Sequence, residues 1–282
     1  MQYPVIRRYL TGLTLTELAV VIAVMALLAG IALPAARMII GSFESGDSAR
    51  SMISAALASA RALAAKEGHY VGVRFQKAYN PDAPDPLNPL TAPQYMIFVI
   101  HDPNIMAHCF RAIEGTKPIR LPDSVVVSDL TIVPTRNVMN PVNPTLEIRL
   151  DDPALTPAAA DDLMNQAHEL RDASTFSIIF SPSGKLVMQG VRVRRKGVGD
   201  AVFNQSAQVD AGVAMFYQDD YFGTGSDLGL GPEPSRNRFI ILDRDKFARA
   251  YKAGKAWSDY LAALATETIY LNPYTGTIIS KD

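Results

Sequence analysis

The chain of 282 residues has a single cysteine, Cys109. An intrachain disulfide is therefore excluded, and an unpaired cysteine is expected as a small buried side chain. Net charge is also scarce, with 27 Lys and Arg against 28 Asp and Glu. That balance gives no global drive toward nucleic acid or an anionic membrane. The four histidines, His69, His101, His108 and His168, show no metal-type spacing such as H-x-x-x-H. There is no P-loop, no G-x-G-x-x-G and no internal repeat. Ser181 and Ser183 stand in a turn sequence rather than in a G-x-S-x-G elbow. His101-Asp102 has the makings of an acid–base pair, but no nucleophile motif accompanies it. The expectation is a protein that is not an enzyme. The length allows one or two domains with a sizeable core.

What the chain does have is Thr11-Gly12-Leu13-Thr14-Leu15-Thr16-Glu17-Leu18, followed by an apolar run to Leu33. Leu13 to Leu33 is about 21 residues, or ~30 Å of helix, which matches a bilayer core. Arg7 and Arg8 precede it, so the positive-inside rule places the N-terminus in the cytoplasm and the rest outside. A carboxylate such as Glu17 costs roughly 2.5–3.5 kcal/mol at the centre of an inserted helix and less near an interface. It is therefore a functional residue by default, and it calls for a partner.

The order of basic leader, Gly12, hydrophobic Leu13, Glu17 and apolar run resembles the processing site of type IV prepilins and type II secretion pseudopilins. Leu13 stands where that family usually has Phe; it keeps the bulk and the apolarity. The resemblance implies that a prepilin peptidase cuts between Gly12 and Leu13 and that Leu13 is N-methylated. It implies that Glu17 pairs with the Leu13 ammonium of an adjacent subunit, setting axial register during assembly. A methylated amine stays cationic, so the pairing survives. Pro34 removes a backbone donor and should kink the helix. By the same resemblance, the stretch from Pro34 to the Gly41–Gly46 region unwinds in part when subunits pack. An uncut signal anchor and a signal peptide cleaved at Leu33-Pro34-Ala35-Ala36 are the competing readings. Neither explains Glu17.

Beyond the apolar run, Ile53, Ala56, Leu57, Ala60, Leu63 and Ala64 recur at three and four residues, which predicts an amphipathic helix ended by Gly68. Its ending, Ala60-Arg61-Ala62-Leu63-Ala64-Ala65-Lys66-Glu67-Gly68, looks like the H-type minor pseudopilins. Strands are expected at 69–75, 95–100, 125–127, 146–150 and 175–180. Ser181-Pro182-Ser183-Gly184 is a turn sequence that pairs 176–180 with 185–194 as a hairpin. Residues 80–93 and 218–236 read as loops, 151–171 as a turn with a short helix, 243–265 as a late helix, and 267–280 as a closing hairpin.

The expected fold is α+β and pilin-like: a long N-terminal helix, half transmembrane and half amphipathic, packed on an antiparallel sheet. Its parts are a cleaved leader (1–12), a transmembrane and filament-core helix (13–34), an amphipathic continuation (35–68), and an extracytoplasmic β-rich domain (69–282).

Two further groups of residues invite a binding reading. Val191-Arg192-Val193-Arg194-Arg195-Lys196 alternates, putting Arg192 and Arg194 on one face. Such a strand can grip phosphates in a salt-dependent way. The favoured reading is the solvated face of an edge strand, where cations discourage aggregation. Asp219, Asp220 and Asp227 lie in a Gly-rich stretch that would suit calcium. Their spacing is not that of an EF-hand, and a polar loop without a cofactor is favoured. The resemblance implies a structural subunit of the inner membrane, working with the peptidase, other pseudopilins or pilins, and an assembly platform, to help export proteins through type II secretion. The alternative is a type IV pilus minor pilin that contacts DNA through Arg192–Lys196.

Overall fold

A computed structural model of the protein describes residues 46, 48–77, 88–103, 109–132, 148–164, 170, 173–194, 233–264 and 268–279. All of them belong to one compact unit within residues 45–282. A helix over residues 48–67, α1, comes first. Its stripe of Ala49, Ile53, Ala56, Leu57, Ala60 and Ala64 is buried, as the spacing requires. Gly68 stops it at φ +67°, with its N–H donating to the Ala64 carbonyl at 3.1 Å. Glycine takes this left-handed conformation without a Cβ penalty.

The chain then enters β1 (Val71–Lys77), a short α2 (Asn88–Thr91) and β2 (Gln94–His101). Five short strands follow: β3 (Cys109–Ala112), β4 (Ile119–Arg120), β5 (Val125–Ser128), β6 (Thr131–Ile132) and β7 (Ile148–Arg149). Next are α3 (Pro157–Leu163), β8 (Phe176–Phe180), β9 (Leu186–Val187), β10 (Gly190–Arg194), β11 (Glu233–Pro234) and β12 (Arg238–Asp243). The described chain ends with α4 (Arg244–Lys252), a π-helical turn (Trp257–Leu261), one more helical turn (Ala262–Leu264), and the pair β13 (Ile269–Leu271) and β14 (Ile278–Ile279).

The main sheet runs β11-β10-β3-β2-β1-β8-β9, with β4 also against β2. A second sheet runs β14-β13-β12-β5, and β6 pairs with β7 alone. Every described pairing is antiparallel except β10 on β3. The class is therefore α+β with antiparallel sheets.

One apolar core lies under α1 and takes residues from both sheets: Val73 and Phe75 of β1, Phe98 of β2, Phe176 and Phe180 of β8, Val127 of β5, Phe239 of β12 and Leu271 of β13. Alanines on α1 let the backbone come close, and the volume is made up by rings. Phe75 stacks on Phe176 at 4.7 Å between centroids, tilted 15°. A second core, on Val126, Ile240 and Leu242, is closed by Ala160 of α3, Phe247 of α4 and Trp257.

Two expected elements come out differently. The late helix breaks, because Gly254 takes φ +67° after α4, and the chain restarts as the π-helical turn. The hairpin after Phe180 is short: only Ile179 and Phe180 pair with Val187 and Leu186. β10 then crosses to the far side of the same sheet, where Val193 lies opposite Phe110 of β3. Gly190 and Val191 also pair with β11, whereas Arg192 to Arg194 pair with β3.

Candidate assembly surface

The outer side of α1 is lined with small residues. Ser51, Ser54, Ala55, Ala58, Ala62 and Ala65 are exposed there, together with Arg50. Two turns stand beside it. In the first, Ser181 N–H donates to Lys185 O at 2.8 Å, and Gly184 takes φ +74°. In the second, Asn272 Oδ1 accepts from Tyr274 N–H at 2.9 Å and Thr275 N–H at 3.2 Å. Gly276 there takes φ +66°, and a Cβ on it would sit 2.4 Å from Phe180 Cε1, so only glycine fits. Leu186 N–H donates to Pro273 O at 2.8 Å, which ties the two turns together. Lys185 Nζ lies 5.8 Å from the centre of the Tyr274 ring. Arg61 reaches from α1 to the first turn, its Nε donating to Gly184 O at 2.9 Å.

Between helix and turns runs a groove of two adjoining cavities that share Ser54 and Ala58, of about 370 and 550 Å³. Arg61, Gly184 and Thr275–Thr277 line the first, and Arg50 and Ile278 line the second.

Polar side chains hold the two sheets together elsewhere. Gln94 of β2 donates through Nε2 to Val127 O at 2.9 Å and Ser174 O at 2.8 Å, and its Oε1 accepts from Val127 N–H at 2.7 Å. Opposite it in register is Lys77. Burial, reinforced by the charge of Arg244, pushes the Lys77 ammonium down to about 7. Arg236 Nε donates to Asp129 Oδ2 at 2.6 Å, with the Asp129 side chain only 1% exposed. Asp151 accepts from both Arg238 and Arg149. Burial alone would raise its carboxyl, but these two guanidinium groups outweigh that and hold it below the ordinary carboxylate value. Burial likewise works against the Arg238 charge, and Asp151 and Tyr270 more than restore it.

The residues singled out in the sequence fall in different places. Gly12, Leu13, Glu17, Pro34, Arg195, Lys196, Asp219, Asp220 and Asp227 lie outside the described residues. So does the apolar run from Leu13 to Leu33; among the described residues no helix is long and apolar enough to cross a membrane. Arg192 and Arg194 alternate with the buried Val191 and Val193, and the register sets Arg192 opposite Cys109 and Arg194 opposite Arg111. Arg111 Nε donates to Asp102 Oδ2 at 3.1 Å, so the carboxylate of the His101-Asp102 pair is engaged by arginine. Cys109 is fully buried. Among the described residues no group of His, Cys, Asp and Glu is placed to hold a metal ion.

The groove itself was not foreseen from sequence. The only local signal was the small-residue side of α1, and the two turns that complete the groove are brought there by tertiary pairing. Comparison with protein-family models, with curated proteins and with solved structures returned no match.

Proposed function

We propose that the chain is a prepilin-like structural subunit, a minor pseudopilin of a type II secretion machine, and not an enzyme. Residues 1–12 are removed by a prepilin peptidase, Leu13 becomes the methylated N-terminus, and the apolar helix packs among those of other subunits. The observation that carries the reading is the placing of Glu17 five residues after Gly12, at the head of an otherwise apolar run. Its support from the fold is the amphipathic α1 lying on antiparallel sheets, the arrangement expected of a pilin-like domain. Inside an apolar bundle Glu17 needs a cation, because an uncompensated charge there is strongly destabilising.

The test is mass spectrometry of the N-terminal peptide from membrane-extracted protein, with and without the peptidase. A peptidase-dependent start at Leu13, one methyl heavier, supports the subunit reading. An intact Met1 end would mean an uncut anchor, and a start after Ala36 a secreted domain; either sinks it. Glu17→Val should still be cleaved yet fail to enter filaments, and normal incorporation would remove Glu17 from the mechanism.

A second reading, a type IV pilus minor pilin touching DNA, rests on the basic run from Arg192 to Lys196, in which Arg192 and Arg194 alternate in sequence with the buried Val191 and Val193. A salt-sensitive gel shift abolished by Arg192/Arg194/Arg195→Ala would establish it. Unchanged mobility of DNA at low salt would dismiss it.

A further inference from the structure

We infer that the groove along α1 receives an acidic segment of a neighbouring filament subunit, whose carboxylates meet Arg50 and Arg61. This rests on the filament reading above. Arg50 and Arg61 are eleven residues apart on one helix. At 100° and 1.5 Å per residue that is three turns plus roughly 20°, a separation of ~16 Å on the same side. One arginine lines each of the two cavities, and among the described residues no lining residue of either carries a carboxylate. Among the described residues the Arg50 guanidinium has no hydrogen-bond or ion-pair partner. The Arg61 guanidinium has one, the Gly184 carbonyl on Nε. That bond fixes the plane of the Arg61 group and leaves both terminal nitrogens for a ligand. An arginine fork held in this way suits two-point recognition of a carboxylate.

The floor between the arginines, Ser54 and Ala58, is small enough for a backbone to approach. Lys185 stands in the same turn as Gly184, with its ammonium over the Tyr274 ring. A groove with two available guanidinium groups, and no acid among its described lining residues, is complementary to a segment with carboxylates ~16 Å apart. Those would be eleven residues apart on a helix or about five on an extended strand.

The experiment uses the full chain in its membrane assembly, with a photo-crosslinking amino acid at Ala58, which lines both cavities. The expected product joins Ala58 to a filament subunit through a peptide containing Asp or Glu. Arg50→Glu with Arg61→Glu should lower its yield by roughly fivefold or more, and Lys at both positions should keep most of it. Arg61→Glu also removes the bond to the turn, so Arg50→Glu alone is measured beside it, with the melting temperature of each variant. Unchanged yield in Arg50→Glu, or a crosslinked peptide without an acid, overturns the inference. So does the absence of any crosslink in a protein whose N-terminus is Leu13, with the subunit reading left standing. An N-terminus at Met1 overturns both.

Discussion

The core under α1 and the polar contacts between the two sheets are both closed to water, yet they are made in opposite ways. The core under α1 is built of apolar side chains, and Phe75, for example, meets the rings of Phe176 and Phe239. Away from that core, Arg74, Gln94 and Asp129 are each 3% exposed or less, and their placing follows from named donors and acceptors. Arg74 Nε donates to Gln76 Oε1 at 3.1 Å and Nη1 to Ser177 Oγ at 3.3 Å. Apolar packing tolerates replacement by a side chain of similar volume. A buried polar contact does not, because the group left behind has lost water and gained nothing.

Phe75→Ala should have the largest effect, a loss of about 3–5 kcal/mol in denaturant unfolding, since it empties the stack on Phe176. Phe75→Leu should recover most of that, because volume rather than geometry matters there. Asp129→Asn is the matching test between the sheets. It keeps the shape, but it takes the charge from beside Arg236, whose side chain is 15% exposed; breaking so buried a pair should cost about 3 kcal/mol. If Asp129→Asn proves milder than Phe75→Leu, the contrast between the two regions is wrong.

The same contrast decides what was legible in the sequence. α1, β1, β2 and β8 were readable because a stripe at three and four residues, or an unbroken apolar strand, carries its own burial pattern. Gly184 and Gly276 marked their turns, since φ above zero selects glycine. The strands β3, β4 and β6 were not readable; two to four residues hold too little periodicity. The parallel placing of β10 on β3 was invisible for a different reason: it depends on which distant strand is left free, not on Val191 and Val193 themselves. The late stretch reads as a single helix because Phe247, Tyr251, Trp257 and Leu261 fit a helical spacing, while Gly254 between them takes φ +67° and divides it. The polar contacts between the sheets left no local signature at all, for Gln94 and Val127, or Asp129 and Arg236, meet only once the sheets are in place. Arg61 was readable as a helix residue, and nothing in its neighbourhood of sequence pointed to Gly184. The residues on which the proposed function rests, Gly12, Leu13 and Glu17, are the reverse: plain as a motif in the sequence.

Lys77 sharpens the comparison by changing its sign. Its folded-state ammonium titrates at about 7 against an ordinary value of 10.5. Between those limits the unfolded chain binds more protons than the folded one, so stability should rise with pH from about 7 upward and lie lowest below it. Lys77→Met removes the buried charge. It should add about 1–3 kcal/mol at pH 6 and flatten the rise in stability between pH 7 and 9, as followed by urea unfolding at each pH. A wild-type curve already flat over that range would mean that Lys77 is not the group held neutral.

The smallest expected effect lies outside both regions and separates a charge from an acceptor. Asp243 Oδ1 accepts from Asp245 N–H and Lys246 N–H, each at 3.0 Å, at the start of α4. Its own N–H donates to the Tyr260 hydroxyl at 2.8 Å, a bond that no side-chain change at 243 removes. Asp243→Ala should therefore cost about 1 kcal/mol, the value of an N-cap. Asp243→Asn keeps an oxygen acceptor and should cost only a few tenths of that, because asparagine caps nearly as well. At Asp129, by contrast, asparagine is expected to fail although it keeps the shape. The two Asp→Asn changes thus form one experiment: the exposed cap needs an acceptor, and the buried pair needs the charge.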